Sequence, residues 1–165
     1  MILLTVITTH LSKIRATEIR KFIWLLTLLI FTTAFNSHAD EGNEYAIFSL
    51  DSTFDELSIA KARQLYRGKT KRLQGKRFEL SDWPDSSIQR SEFYRVLLNK
   101  NVAQMNAHWA SLSFSGKARP PKVINNPDMN TLLEWMNEKP YRIGYAPVDS
   151  LPTNANIIFI LHSEK

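Results

Sequence analysis

From residue 45 onward, apolar residues fall into short blocks that alternate between strand-like runs and helical stripes. Tyr45–Leu50 (YAIFSL) is a nearly unbroken apolar run and predicts a strand, ended by the polar Asp51-Ser-Thr53. Over Asp55–Tyr66, the residues Leu57, Ile59, Ala60, Ala62, Leu65 and Tyr66 recur at a loose helical period. That predicts a helix of about three turns, stopped by Gly68. A bulged turn or short hairpin is expected around Gly75, and Arg77–Leu80 then alternates as a second strand. Ser81–Ser87 (SDWPDSS) reads as a loop feeding a helix capped by Ser86 or Ser87. Arg90, three residues after Ser87, does not complete a capping box.

That helix runs through Phe93, Val96, Leu97 and Leu98 to about Asn99. Another spans Ala103–Leu112, with Met105, His108, Trp109 and Leu112 close to one face. A further helix follows Asn125-Asn-Pro127, with Asn126 as its cap and Met129, Leu132, Leu133 and Met136 as its stripe. Lys139-Pro140 ends it. Tyr141–Tyr145 is a short strand, stopped by Pro147. Ile157–Leu161 is wholly apolar and is expected at the centre of the sheet. Strands separated by helices predict an α/β sandwich.

The first 39 residues have a different character. Lys13, Arg15, Arg20 and Lys21 precede an apolar run, Phe22–Phe35, and Asn36-Ser-His-Ala39 leads into acidic residues. This order is that of a secretory signal peptide, with Ser37 and Ala39 at the −3 and −1 positions of a cleavage site. The run is short for a membrane span of about 20 residues, so an uncleaved membrane anchor is the second choice. No cysteine follows the run, which excludes a lipid anchor on a thiol. The apolar Ile2–Thr9 stands oddly upstream of the basic segment, and a start downstream of Met1 would account for it. Residues 40–165 are then expected to form one extracytoplasmic, periplasmic domain.

Charge changes meaning once those segments are separated. The chain carries a net +5, but residues 40–165 hold 17 Lys/Arg against 15 Asp/Glu. The basicity is largely a targeting feature, and a nucleic-acid partner loses its support. Absence of cysteine removes disulfides and thiolate chemistry. Stability must come from a packed core, for which a domain of this size suffices.

Few constellations carry chemistry. Arg67, Lys69, Lys71, Arg72, Lys76 and Arg77 crowd one short stretch that reads as a solvated turn or as an attractor for an anionic ligand, membrane or polymer. Ser86, Ser87 and Gln89 lie where a helix begins, and free backbone N–H groups suit an oxyanion there. Arg90 would add a charge-assisted, bidentate donor. Ordinary capping and a surface arginine are the plain alternative. His108 and His162 are the histidines of residues 40–165, without metal-ligand spacing. Ser113 and Ser115 lack a GxSxG context. Asp82 and Asp85 read as turn carboxylates, since glycosidic chemistry would need a cleft around them. Gly116 is expected to permit a sharp turn, Gly144 a close backbone approach, and Trp83, Trp109 and Trp135 core packing.

Several phrases together resemble one family. Leu65-Tyr-Arg-Gly-Lys69 is similar to the "IFxGK" phrase of the phosphate-binding periplasmic proteins of ABC transporters. Phe93 follows the Ser86/Ser87 turn as a Phe follows the anion-binding helix start in that family. Gln104 and Trp109, with Phe114-Ser-Gly116 and Pro120-Pro121, resemble its "Q…W…FSG…P" passage, and Ile143-Gly-Tyr145 its "IGY" strand. The resemblance covers Tyr45 to Pro147. It implies two α/β lobes closing on phosphate in full-length members, which are about twice as long. This chain is therefore expected to be α/β, a single lobe of a type II periplasmic binding protein-like fold with a central mixed sheet flanked by helices.

The family's Ser-Gly-Thr at the helix start falls on Ser87-Ile88-Gln89, where Ser87 alone matches. Its Asp falls on Asp85, a match, and its upstream Arg on Trp83, a departure for which Arg90 is the spatial substitute. The resemblance thus implies weak binding of phosphate or a similar small oxyanion at Ser86, Ser87, Gln89 and Arg90, without enzymatic activity, cofactor or metal. The alternative is a non-catalytic envelope interaction protein that has lost its ligand and acts through homodimerisation or a membrane or envelope protein partner.

Overall fold

The structure, a computed structural model, describes residues 44–162. The basic segment and apolar run assigned to a signal peptide lie outside the described residues. In chain order the elements are β1 (Tyr45–Ser49), α1 (Ile59–Tyr66), β2 (Glu79–Asp82), α2 (Ile88–Leu98), α3 (Val102–Phe114), β3 (Lys122–Val123), α4 (Met129–Asn137), β4 (Arg142–Pro147) and β5 (Asn156–Leu161). A 3₁₀ turn, Val148–Ser150, links the last two strands.

The sheet has the order β3-β2-β4-β1-β5. β2 runs parallel to β3 and β4, while β1 is antiparallel to β4 and β5. The apolar run of β1 is buried throughout because it lies between two strands with both of its faces covered. Side chains of successive strand residues point to opposite faces, and β4 shows what covers each. Tyr145 packs against Tyr66 of α1 and stacks on Phe93 of α2 at 3.6 Å between ring centroids. The adjacent Gly144 faces Leu132 of α4. α1 and α2 therefore cover one face, with α3 packed beside α2, and α4 covers the other. A continuous apolar core from Tyr45 to Leu161 lies within the described residues.

β5 is an edge strand and not the centre of the sheet. Ile157 and Ile160 remain 38% and 37% exposed. Its outer edge is partly covered by the loop after β1, where Leu57 N–H donates to the Ile158 carbonyl at 2.7 Å and the Asn156 amide to those of Asp51 and Phe54. That use of Leu57 also explains why α1 begins at Ile59 and not at Asp55. Ser58 is extended and caps Lys61 N–H, so residues 55–57 stay outside the helix.

Other boundaries differ by similar local choices. β2 is displaced two residues along the chain, taking in Ser81 and Asp82, because Ser81 and Asp82 register with β3. β3, two residues long, has no apolar periodicity to announce it. α4 is capped by Asp128 and not by Asn126, its carboxylate accepting from Thr131 N–H. α3 starts at Val102 through a capping box in which Asn101 and Gln104 satisfy each other's backbone N–H. The turn at Gly75 is as expected: Gln74 and Gly75 both have positive φ, and Leu73 bridges Lys76.

Gly68 fastens the exit of α1 to α3. Its φ is +64°, and a Cβ there would lie 2.8 Å from the Trp109 ring and 3.0 Å from Leu112. We expect Gly68→Ala to destabilise the fold by roughly 2–4 kcal/mol, combining left-handed strain with overpacking. A urea denaturation midpoint checks this, and Gly75→Ala is the comparison, since no atom lies within 4 Å of a Cβ there.

Candidate functional site

The start of α2 collects most of the polar residues singled out above. Ser87 is the N-cap: its hydroxyl accepts from Arg90 N–H at 3.3 Å. Ser87 N–H itself donates to the Pro84 carbonyl, closing the turn that aims the helix. Among the described residues, the Ile88 and Gln89 amides have no protein partner, as the first turn of any helix requires. Ser86 is exposed, Ser87 buried and Gln89 half-buried, so the three line the entry to this end at different depths.

Arg90 points inward and is 4% exposed. Its Nη1 donates to the Trp83 carbonyl at 3.1 Å and contacts the Asp85 carboxylate. Its Nη2 donates to Asn106 Oδ1 at 2.6 Å, and Asn106 Nδ2 in turn donates to Asp85 Oδ2 at 2.5 Å. Arg90, Asp85 and Asn106 thus form a closed ring joining the turn, α2 and α3. The guanidinium bonds its own turn instead of standing free on the surface, and it fixes Asp85, whose side chain is mostly exposed.

Behind that ring lies Asp82, 2% exposed. Its Oδ1 accepts from the Tyr145 hydroxyl at 2.5 Å and from Trp83 N–H at 2.9 Å. Its Oδ2 accepts from the Tyr94 hydroxyl at 2.7 Å, with Arg90 Nε 3.4 Å away. Burial raises the Asp82 pKa; Arg90, the two phenols and the Trp83 amide pull it down without fully cancelling the rise. Burial, followed by the Asp82 charge, pushes Tyr94 and Tyr145 well above the ordinary phenol range. The cluster holds two carboxylates against one guanidinium. It can present backbone N–H groups and a positioned carboxylate at its mouth, while its depth is structural.

Sequence reasoning placed Ser86, Ser87, Gln89 and Arg90 together, and the fold keeps them at one helix start. It missed Asp82 and Asn106. Asp82 sits among the turn-formers SDWPDSS, and its partners Tyr94 and Tyr145 are 12 and 63 residues away. Asn106 gave no signal beyond being polar in a helix. His108 is a packing residue whose Nε2 lies 3.1 Å from the Arg67 carbonyl, and His162 meets Glu44 at the surface. A groove of about 560 Å³ runs along α2 past Ile88, Glu92 and Arg95 to Gln104 of α3. None of the four singled-out residues lines it. Among the described residues no cluster of His, Cys, Asp or Glu could hold a metal ion, and no helix is long and apolar enough to cross a membrane.

A mixed five-stranded sheet with helices on both faces defines an α/β architecture with a capped helix start at one end. Solved structures share it. An ABC-type phosphate transport receptor from Vibrio cholerae superposes with a TM-score of 0.52 at 13% identity, over 72% of this chain and 47% of that one. A protein described as a candidate phosphate ABC transporter substrate-binding protein from Clostridium perfringens, with bound phosphate, gives 0.52 at 11% identity, over 72% and 46%. The chain thus has the fold of a phosphate-receptor lobe and spans about half the length of those structures. No family model and no curated protein matches it.

The Asp82 hub makes a testable statement. Tyr145→Phe removes a hydrogen bond to a buried carboxylate and is expected to cost about 1.5–3 kcal/mol. The lost bond favours the ionised carboxylate. With the Asp82 pKa raised, its net contribution to stability is fully present below the unfolded value of about 3.8 and declines as pH rises through the folded one. The gap between wild type and Tyr145→Phe should therefore widen from pH 4 to pH 8 in urea titrations. A gap independent of pH would mean that Asp82 does not change its protonation state over that range and would refute this coupling.

Proposed function

We propose that this chain is a non-catalytic, extracytoplasmic binding lobe that takes phosphate or a similar small oxyanion weakly at the start of α2. The observation that carries the reading is the Arg90–Asp85–Asn106 ring beneath a serine-capped helix start. In this reading the Ile88 and Gln89 amides and the Ser86 and Ser87 hydroxyls supply donors to the anion. Arg90 acts chiefly through Asp85, which it neutralises and fixes, taking the place left by Trp83 at the position of the family's arginine.

Electrostatics argue for weak binding. Asp82 and Asp85 together outweigh Arg90 whenever both are ionised, so an anion at this mouth gains from helix amides and not from net charge. Protonation of Asp82, favoured by its burial, relieves part of that repulsion. A half-millimolar to ten-millimolar affinity, on the order of 3–4.5 kcal/mol of binding free energy, fits such a site.

The test is a phosphate titration of residues 40–165 followed by amide chemical shifts. Shifts concentrated at Ser86–Arg90, saturating in the millimolar range, are expected. Shifts elsewhere on the protein would refute the residue assignment, and none at tens of millimolar would refute oxyanion binding.

A further inference from the structure

The cations of this molecule are segregated, and the fold makes the segregation spatial. Residues 57–78 contain eight Lys/Arg and no acid; residues 93–127 contain five and no acid. Thirteen of the 17 cations of residues 40–165 therefore lie in two acid-free segments. Those segments are α1 with its exit loop, and the second half of α2 with α3 and its exit. Apart from β3, the edge strand that carries Lys122, both belong to the helical layer on one face of the sheet. Arg63 Nε bonds the Leu97 carbonyl, tying α1 to the end of α2. Gly68 backs onto Trp109 and Leu112, and the Leu112 carbonyl takes Lys117 N–H. The two basic loops thus meet at the C-terminal end of α3.

The thirteen are available as charges. None is buried, and among the described residues none forms an ion pair. Six acids lie on α4 and around the ends of β2, and three more, Asp51, Asp55 and Glu56, sit beside the Gly75 turn, where Asp55 N–H donates to Gln74; the cations farthest from acids are those at the exits of α1 and α3. Where the basic loops meet stands Phe114, 97% exposed in the last turn of α3. This bare aromatic side chain, just before the basic exit of α3 at Lys117 and Arg119, has no part in the core.

We propose that this helical face docks on an anionic phospholipid surface. Lys69, Lys71, Arg72, Lys117 and Arg119 meet the lipid phosphates, and Phe114 enters the headgroup boundary. Charge complementarity selects an acidic surface, and the exposed ring selects a lipid surface over a soluble polyanion. The inference is independent of oxyanion binding at α2, whose ring of Arg90, Asp85 and Asn106 it does not use.

Co-sedimentation with vesicles tests it, using residues 40–165, which contain the whole described core and lack the apolar run 22–35 with its own membrane affinity. Binding to phosphatidylglycerol-containing vesicles is expected, with none to pure phosphatidylcholine and loss at high salt. The variant Lys69→Gln/Lys71→Gln/Lys117→Gln/Arg119→Gln should lower partitioning by at least about tenfold. Phe114→Ser should lower it several-fold without altering salt dependence. These positions are exposed, and unchanged melting curves confirm folding. Equal binding to both vesicle types, no effect of the four-residue variant, or capture by polyglutamate without vesicle binding would each overturn the proposal.

Discussion

Asp82 is the group around which the rest of this lobe is arranged. Burying an unpaired carboxylate costs several kcal/mol even after the protein relaxes. Here the charge is met by two phenols, one backbone amide and one guanidinium, drawn from β4, α2 and the strand's own end. Charge-assisted hydrogen bonds of about 1.5–3 kcal/mol each are of the size needed to offset that burial. They fall short of offsetting it completely, since the carboxyl stays harder to ionise than a free aspartate. What the arrangement gives is geometry: Tyr94 and Arg90 can both reach Asp82 only if α2 lies at one angle and depth, and this fixes where its first turn points.

A second polar tie works at the other end of β2. Arg142 spans Glu79 and Glu138, lies over the Trp135 ring at 4.3 Å, and bonds the Trp135 carbonyl. Burial opposes ionisation of Glu79, but its bonds to Lys139 and Arg142 prevail and hold its pKa below the ordinary value. The short, parallel β2–β4 pairing is thus pinned by a charge network at each end, while the middle is held by apolar packing. A strand of four residues has few ladder bonds of its own, which is why its side chains carry so much of its placement.

Local chemistry was legible in the sequence, and distant partnership was not. The Ser87 cap, the stripe of α4 and the turn at Gly75 each rest on residues within one or two turns of one another. Gly144 was legible as a close approach because a glycine within a strand has few other uses; a Cβ there would meet Ser81 Oγ at 3.1 Å. β5 misled because five apolar residues in a row look the same whether a strand is central or an edge shielded by a loop. Asp82 misled for the opposite reason, since its neighbours in sequence are turn-formers and its neighbours in space are aromatic. Of the candidate site, the cap and its arginine could be named in advance; the buried acid that orients them and the Asn106 that closes the ring could not.

The "FSG" and "IGY" phrases, which carry much of the family resemblance, divide along the same line. In both, the glycine shapes backbone: Gly116 turns the chain with φ +65°, and Gly144 lets α4 approach β4. Their aromatic residues do opposite things. Tyr145 is wholly buried, stacks on Phe93 and holds Asp82, so it serves the interior face of the helical layer. Phe114 stands in solvent at the outer end of the same layer. Inside the layer, Arg90 is held at short range between Asp82 and Asp85, so its charge is spent within the cluster. Outside it, cations without acid partners act together over about 8–10 Å of solvent at moderate salt. One helical layer therefore separates two electrostatic regimes. The inner one fixes geometry at the start of α2, and the outer one decides which surfaces the protein can approach.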